Sequence, residues 1–214
     1  MTRLFVLDLT VLQDGSWRRI LPDLPRQRQE RALQCRREDD SIRIVGAGWL
    51  LQQALERVGV PPQDRRFATN PWGKPILEDN TQIHFSLSHS GIWAVCAVSD
   101  GPVGVDVEQP RCSMAVARRH FCPDELQFLL QLPPEEQSAA LNRLWTAKEA
   151  FVKAMGRGLT VPLDSFFVRL TPNAAILEQN HTDLPYVLHE YELQTGHVCL
   201  CCTEDRPQLE FLTL

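Results

Sequence analysis

Three acidic residues and one lysine hold most of the chemistry that this 214-residue chain could perform. In Gly104-Val-Asp-Val-Glu108, two carboxylates stand at i and i+2. On a strand, alternate side chains share a face, so Asp106 and Glu108 project together while Val105 and Val107 enter the core. At about 3.3 Å rise per residue they are roughly 6.6 Å apart at the backbone, within reach of one hard cation. Two carboxylates without imidazole or thiolate suit Mg²⁺, which keeps waters and takes phosphate oxygens in its remaining positions. The plain alternative is a strand with one solvated face, the commoner pattern for such a motif taken alone. In Trp145-Thr-Ala-Lys-Glu-Ala-Phe-Val-Lys-Ala-Met155, Glu149 and Lys153 are i and i+4 neighbours on a helix surface. Alone, such a pair contributes about 0.2–0.5 kcal/mol and is a frequent surface feature. Beside a leaving phosphate, the lysine would neutralise developing charge or donate a proton.

Other polar clusters are less specific. In Phe85-Ser-Leu-Ser-His-Ser-Gly91, strand geometry sends Ser88 and His89 to opposite faces, which argues against an adjacent nucleophile and base. No Gly-x-Ser-x-Gly elbow is present either. As donors, Ser88 and His89 suit phosphate oxygens, although a lone histidine is more often structural. Gly73-Lys74-Pro75 lacks the surrounding pattern of a P-loop. With Arg26, Arg28, Arg31, Arg36, Arg37 and Arg43 it would make a cationic pocket for a polyphosphate, though each arginine singly is expected to be solvated. His197, Cys199, Cys201 and Cys202 crowd one extended segment that cannot wrap into a tetrahedral site. Cys199 and Cys201 are expected to be small buried groups on one strand face.

The elements that must position these residues follow from pattern. Met1 to Leu9 reads as a strand, its apolar run too short and too broken by Asp8 for a signal segment. Leu24 to about Val58 reads as one basic helix stopped by Pro61-Pro62, and Thr69 to Asp79 as a loop. Ile83 to Ser99 reads as two strands broken at Gly91. A turn at Ser99-Asp-Gly-Pro102 divides the chain into expected halves, 1–101 and 102–214. Helices are predicted over Met114 to His120, Asp124 to Leu132 and Glu135 to Met155, the last closed by Gly156, with Leu141, Leu144, Val152 and Met155 facing inward. Strands follow at Phe166 to Leu170 and Tyr186 to Cys202. Trp93-Ala-Val-Cys-Ala and His197-Val-Cys-Leu-Cys echo each other faintly, as a duplicated unit would. A net charge of −5 argues against general nucleic-acid binding, and no apolar run approaches a membrane span. The seven cysteines, without a secretory signal, are expected as reduced thiols in the cytoplasm.

Gly104-Val-Asp-Val-Glu108 followed by Trp145-Thr-Ala-Lys-Glu-Ala-Phe-Val-Lys153 resembles the signature pair of phosphopantetheinyl transferases. Trp72-Gly-Lys-Pro75, Ser88-His-Ser-Gly91, Gly156-Arg-Gly-Leu159 and Pro162-Leu-Asp-Ser-Phe166 match in the family's order. The likeness runs from about Arg26 to Arg169 and is to the larger, Sfp-like type. It implies an α/β (α+β) chain of two similar subdomains, a monomeric pseudo-dimer with coenzyme A between them. Asp106, Glu108 and Glu149 would hold Mg²⁺, with Mn²⁺ as an alternative, and Glu149 would help deprotonate the serine of an apo acyl or peptidyl carrier protein. Lys153 would steady the pyrophosphate and the departing 3′,5′-ADP. Lys74, Ser88 and His89 would contact phosphates, and Arg28, Arg31 and Arg43 the 3′-phosphate. The family often has lysines at 28 and 31 and a hydroxyl residue where Ile44 stands. Glu125 falls at another acidic position of uncertain role. A non-catalytic module binding coenzyme A or a carrier protein, or another Mg²⁺-dependent nucleotide enzyme, stays open as an alternative.

Overall fold

Strands that are apolar on both faces organise this molecule. The computed structural model describes residues 1–109, 113–204 and 206–214, without the side chain of 159. Cys112 therefore lies outside the described residues; the other six cysteines are free. In chain order the elements are β1 (Arg3–Asp8), α1 (Trp17–Ile20), α2 (Arg26–Leu33), α3 (Glu38–Arg57), β2 (Phe67–Thr69), β3 (Pro75–Leu77), β4 (His84–Ser90), β5 (Trp93–Ser99) and β6 (Gly104–Glu108). Then come α4 (Met114–His120), α5 (Pro123–Gln131), α6 (Pro134–Met155), β7 (Phe167–Leu170), β8 (Ala175–Glu178), β9 (Val187–Leu193), β10 (Gly196–Cys202) and β11 (Gln208–Leu212).

One sheet has the order β11-β1-β5-β4 and the other β6-β10-β9. Their inner faces meet in a core of Leu4, Val6, Trp93, Val95, Ala97, Val105, Val107, Val198, Leu200 and Cys202. The opposite faces of β1 and β5 carry Phe5, Leu7, Ala94, Cys96 and Val98 into a core built on α3. Cys199 and Cys201 on β10 turn the other way, into the α6 core with Leu141, Leu144, Ala147 and Phe151. The order is thus α3, sheet, sheet, α6. A strand covered on both faces has no place for polar alternation, which is why β1, β5 and β10 read as nearly continuous apolar runs. The echoing segments around Trp93 and His197 become β5 and β10, each an interior strand of its own sheet.

Three expectations need correction. The single basic helix is two, α2 and α3. Glu38, Asp39 and Asp40 form the first turn of α3, where acidic side chains favour a helix start. The Ser41 hydroxyl then donates to the Ala32 carbonyl at 2.8 Å and folds the second helix back on the first. The expected loop at 69–79 is partly a hairpin, with β2 and β3 antiparallel and Asn70 to Lys74 at its tip. Strand β8, which pairs with β7, and the last strand, β11, lie in segments with no strand expected. Strand β11 runs parallel beside β1, so it closes the first sheet although it follows the second in sequence. Helices α4, α5 and α6 match, the short α1 was not expected, and Gly156 ends α6 at φ 66°, a left-handed position that favours glycine. Among the described residues, no helix is long and apolar enough to cross a membrane.

Candidate active site

Strand β6 lies between two suppliers of polar groups, β4 on one side and α6 on the other. Ser86, Ser88 and Ser90 share the face of β4 turned to β6, the period-2 consequence of an extended chain. Ser86 Oγ accepts from the Val105 amide at 3.0 Å. Ser88 Oγ donates to Asp106 Oδ1 and Ser90 Oγ to Glu108 Oε2, both at 2.7 Å. The helix approaches because residue 104 is glycine: a Cβ there would lie 2.0 Å from the Ala150 carbonyl oxygen. That contact brings Glu149 and Lys153 over the strand.

Lys153 Nζ sits 2.7 Å from Asp106 Oδ1, so its ion pair is with the strand rather than with Glu149, the partner its spacing suggests. Asp106 is buried, contrary to a solvated strand face, and its Oδ2 has no hydrogen-bond partner. Among the described residues, Glu149 has neither a hydrogen bond nor an ion pair through its side chain. Burial raises the Glu149 pKa, the Asp106 and Glu108 charges add to this, and Lys153 opposes it. Burial likewise raises that of Glu108, with the Ser90 hydrogen bond opposing. Three carboxylates therefore share one poorly hydrated neighbourhood with one ammonium, leaving a buried oxygen and a whole carboxylate unpartnered. This donor set suits a hard cation. Among the described residues, no three such side chains converge on one point.

Beside them runs a groove made of two hollows. One, of about 330 Å³, is lined by Glu149, Lys153, Lys74 and the apolar Leu87, Val152 and Leu163. The other, of about 420 Å³, is lined by Arg28, Arg31 and Thr69 and shares Gly73, Pro75 and Phe85 with the first. Gly48 makes room for Arg28, whose Cδ would be 2.3 Å from a Cβ at that position. Arg28 donates to the Ile44 carbonyl at 3.2 Å, so residue 44 contributes to this end through its backbone. Arg31 is exposed at the rim. Arg43 is set apart, lining a third hollow with Asp39, Gly91 and Gln109 and paired to Asp40. His89 is felt by both groups: burial of its surroundings lowers its pKa, and the charges of Arg43, Lys153 and Arg28 lower it further. Three cations around one imidazole favour an anion there.

Lys74 differs from a plain phosphate ligand. Its Nζ donates to the carbonyls of Val103 at 2.8 Å and Lys153 at 2.7 Å, leaving one N–H for the hollow that it lines. Burial brings its pKa down to about 8. Nearby, Asn70 Nδ2 donates to the Gly156 carbonyl at 2.7 Å while its Oδ1 accepts from the Trp72 and Lys74 amides. Asn70 thus fixes the hairpin tip on the end of α6. Asn70 and Ser90 were missed in the sequence; the Ser-x-Ser-x-Ser alternation was the available signal for Ser90.

Glu125 belongs elsewhere. It forms a 2.8 Å ion pair with Lys148 in which both side chains are 0% exposed. It also accepts from the Cys122 amide at 2.9 Å and the Val168 amide at 2.8 Å. The remaining Lys148 donors go to the Leu163 and Phe166 carbonyls, at 2.7 and 2.9 Å. The network ties α5, β7 and the wall of the groove to the turn of α6 that carries Glu149. Lys148→Met should cost about 3–5 kcal/mol, because it strands a buried carboxylate; urea unfolding measures this, and a loss below 1 kcal/mol would contradict it. His197 meets Glu190 and Glu192, and Arg143 holds Glu190 with two hydrogen bonds, so this histidine sits in an ion-pair cluster.

Comparison with known proteins gives the same direction. The family model described as "4'-phosphopantetheinyl transferase superfamily" matches residues 102–202, the segment carrying the three carboxylates and Lys153. The 4'-phosphopantetheinyl transferase Sfp of Bacillus subtilis is 34% identical over 81% of this chain and 80% of its own length. The 4'-phosphopantetheinyl transferase psf-1 of Bacillus pumilus is 34% identical over 94% of this chain and 89% of its own. A solved holo-[acyl-carrier-protein] synthase of Thermotoga maritima matches 47% of this chain and 61% of its own at 21% identity and a TM-score of 0.40, too partial a likeness to describe the whole fold. Two relatives matched over most of their length, together with carboxylates, lysine and basic groove in one place, establish that the chain belongs to the 4'-phosphopantetheinyl transferase superfamily, in its larger, Sfp-like type, and is a transferase.

Proposed function

We propose that the chain moves the phosphopantetheine arm of coenzyme A onto a serine of an apo acyl or peptidyl carrier protein and releases 3′,5′-ADP. The observation that carries the site assignment is the grouping of Asp106, Glu108, Glu149 and Lys153, with Asp106 Oδ2 unpartnered, beside a groove that ends in Arg28 and Arg31. Mg²⁺, or Mn²⁺ in its place, held by the three carboxylates would neutralise pyrophosphate charge as it develops. Arg28 and Arg31 bind the 3′-phosphate end, assisted by His89 and Arg43, the free donor of Lys74 steadies the phosphates, and Ser88, whose proton goes to Asp106, holds that carboxylate in place. Leu87, Val152 and Leu163 give the arm an apolar wall. Glu149, unpartnered and with a raised pKa, receives the proton of the carrier serine as its Oγ attacks the β-phosphorus. The bond from that phosphorus to the ADP oxygen breaks, and Lys153 neutralises the departing charge.

The chain works as a cytoplasmic monomer in this reading. Its two sheets already cover one another's apolar faces. Intact mass of an apo carrier protein after incubation with the chain, coenzyme A and Mg²⁺ tests the proposal. One added phosphopantetheine, absent with EDTA, is expected. Binding of coenzyme A without any mass gain across acyl and peptidyl carriers would make this a binding module instead.

A further inference from the structure

We propose that Ser90 is a positioning residue that holds the Glu108 carboxylate ready for a divalent cation, an inference that rests on the metal reading above. Asp106 is tethered twice through Oδ1, by the Ser88 hydroxyl and by Lys153 Nζ. Glu108 has one more side-chain torsion and stands at the end of β6, where the strand's own pairing stops. The Ser90 hydroxyl donates to its Oε2 at 2.7 Å, and the Trp145 side chain also faces the carboxylate.

The direction of that bond is fixed by its neighbours. The Gln109 amide donates to Ser90 Oγ at 3.3 Å, occupying a lone pair, and an ionised carboxylate can only accept. The hydroxyl proton must therefore point at Glu108 Oε2, which fixes one oxygen of that carboxylate. The serine is itself held rigidly. Gly91 follows it at φ 56° in the turn to β5, and the Gln109 side chain packs where a Gly91 Cβ would be, its Cδ at 2.1 Å from that point. The chain around Ser90 and the chain around Glu108 thus grip one another across the seam between the sheets. A residue of the first sheet thereby sets the orientation of a proposed ligand on the second. Outer partners of this kind typically change metal affinity by about 10–100-fold when removed.

The test is Mn²⁺ binding, read from loss of the free-ion electron paramagnetic resonance signal at saturating coenzyme A, with coenzyme A alone as blank. The parent chain, Ser90→Ala, Ser90→Thr and Glu108→Gln are compared, and a thermal melt of each checks folding. We expect Ser90→Ala to raise the Kd for Mn²⁺ about tenfold and Ser90→Thr, which keeps the hydroxyl, to restore it. Parent-like binding by Ser90→Ala, alongside weakened binding by Glu108→Gln, would overturn the role of Ser90 and leave the metal site standing. Equal weakening by Ser90→Ala and Ser90→Thr would overturn it too, since packing rather than the hydroxyl would then matter. Unchanged binding by Glu108→Gln would instead remove the metal reading on which the inference depends.

Discussion

Glu149→Gln is expected to lower transfer by about 10³-fold, the range lost with a positioned general base, while the protein melts no lower than its parent. The two halves of this result have one cause. The Glu149 carboxylate is half-sunk in protein beside Asp106 and Glu108, with no partner of its own. Its pKa is raised in the folded state, first by burial and then by those two charges. Between its ordinary pKa and the raised one, the folded chain binds more protons than the unfolded chain, so stability falls as pH rises through that window. The amide of glutamine removes this loss. The variant should therefore hold its melting temperature better than the parent as pH climbs from about 4.5 toward neutrality. Mg²⁺ with coenzyme A should raise the melting temperature of the parent by mass action and do so much less in the variant. Calorimetry across pH, with and without Mg²⁺, measures all of this. A variant that transfers at the parent's rate would remove Glu149 from the chemistry, and one that melts far lower would mean that the carboxylate is structural.

The second large effect is at Gly104, which contributes no functional group. A methyl there would stand 2.0 Å from the Ala150 carbonyl oxygen, 2.3 Å from the Ala154 nitrogen and 2.9 Å from the Lys153 carbonyl carbon. These are backbone atoms of α6 and cannot turn aside, so the helix itself must move. Gly104→Ala should cost about 3 kcal/mol, the upper part of the overpacking range. For a chain of this size that is roughly 6–12 °C in Tm. Transfer should fall about 10²-fold, because Glu149 and Lys153 shift with the helix while Asp106 and Glu108 stay on the strand. Gly59→Ala is the control. Residue 59 has open space around it but φ 82°, so the substitution should cost only about 1–2 kcal/mol and leave transfer intact. Equal losses at both positions would mean that backbone freedom, not close approach, explains Gly104.

Much of the site was legible because its chemistry follows local periodicity. Two carboxylates at i and i+2 needed only a strand to project together, and the Val105 and Val107 between and before them needed only a core. The helix carrying Glu149 and Lys153 announced both its apolar face and its glycine stop. With the resemblance beside them, these features identified the family, the α/β class and the residues to examine. Local pattern could not show which groups meet across sequence. Spacing along α6 paired Lys153 with Glu149, yet an approach permitted by Gly104 gives Lys153 to Asp106, 47 positions away. Lys74 looked like a phosphate ligand, but burial turns two of its three donors to the backbone carbonyls of Val103 and Lys153. Glu125 stood at an acidic position with no role legible in the sequence, and a buried ammonium holds it in the frame. The basic helix broke in two because a hydroxyl on the second half could satisfy a carbonyl at the end of the first. The place of β11 beside β1 depended on a free sheet edge that exists only once the chain has folded. Composition and periodicity determined which elements form and which faces are apolar, since those preferences act over a few residues. Tertiary packing alone decided the partner of each buried charge, because desolvation penalises every unpaired choice and only the assembled fold supplies the pairs.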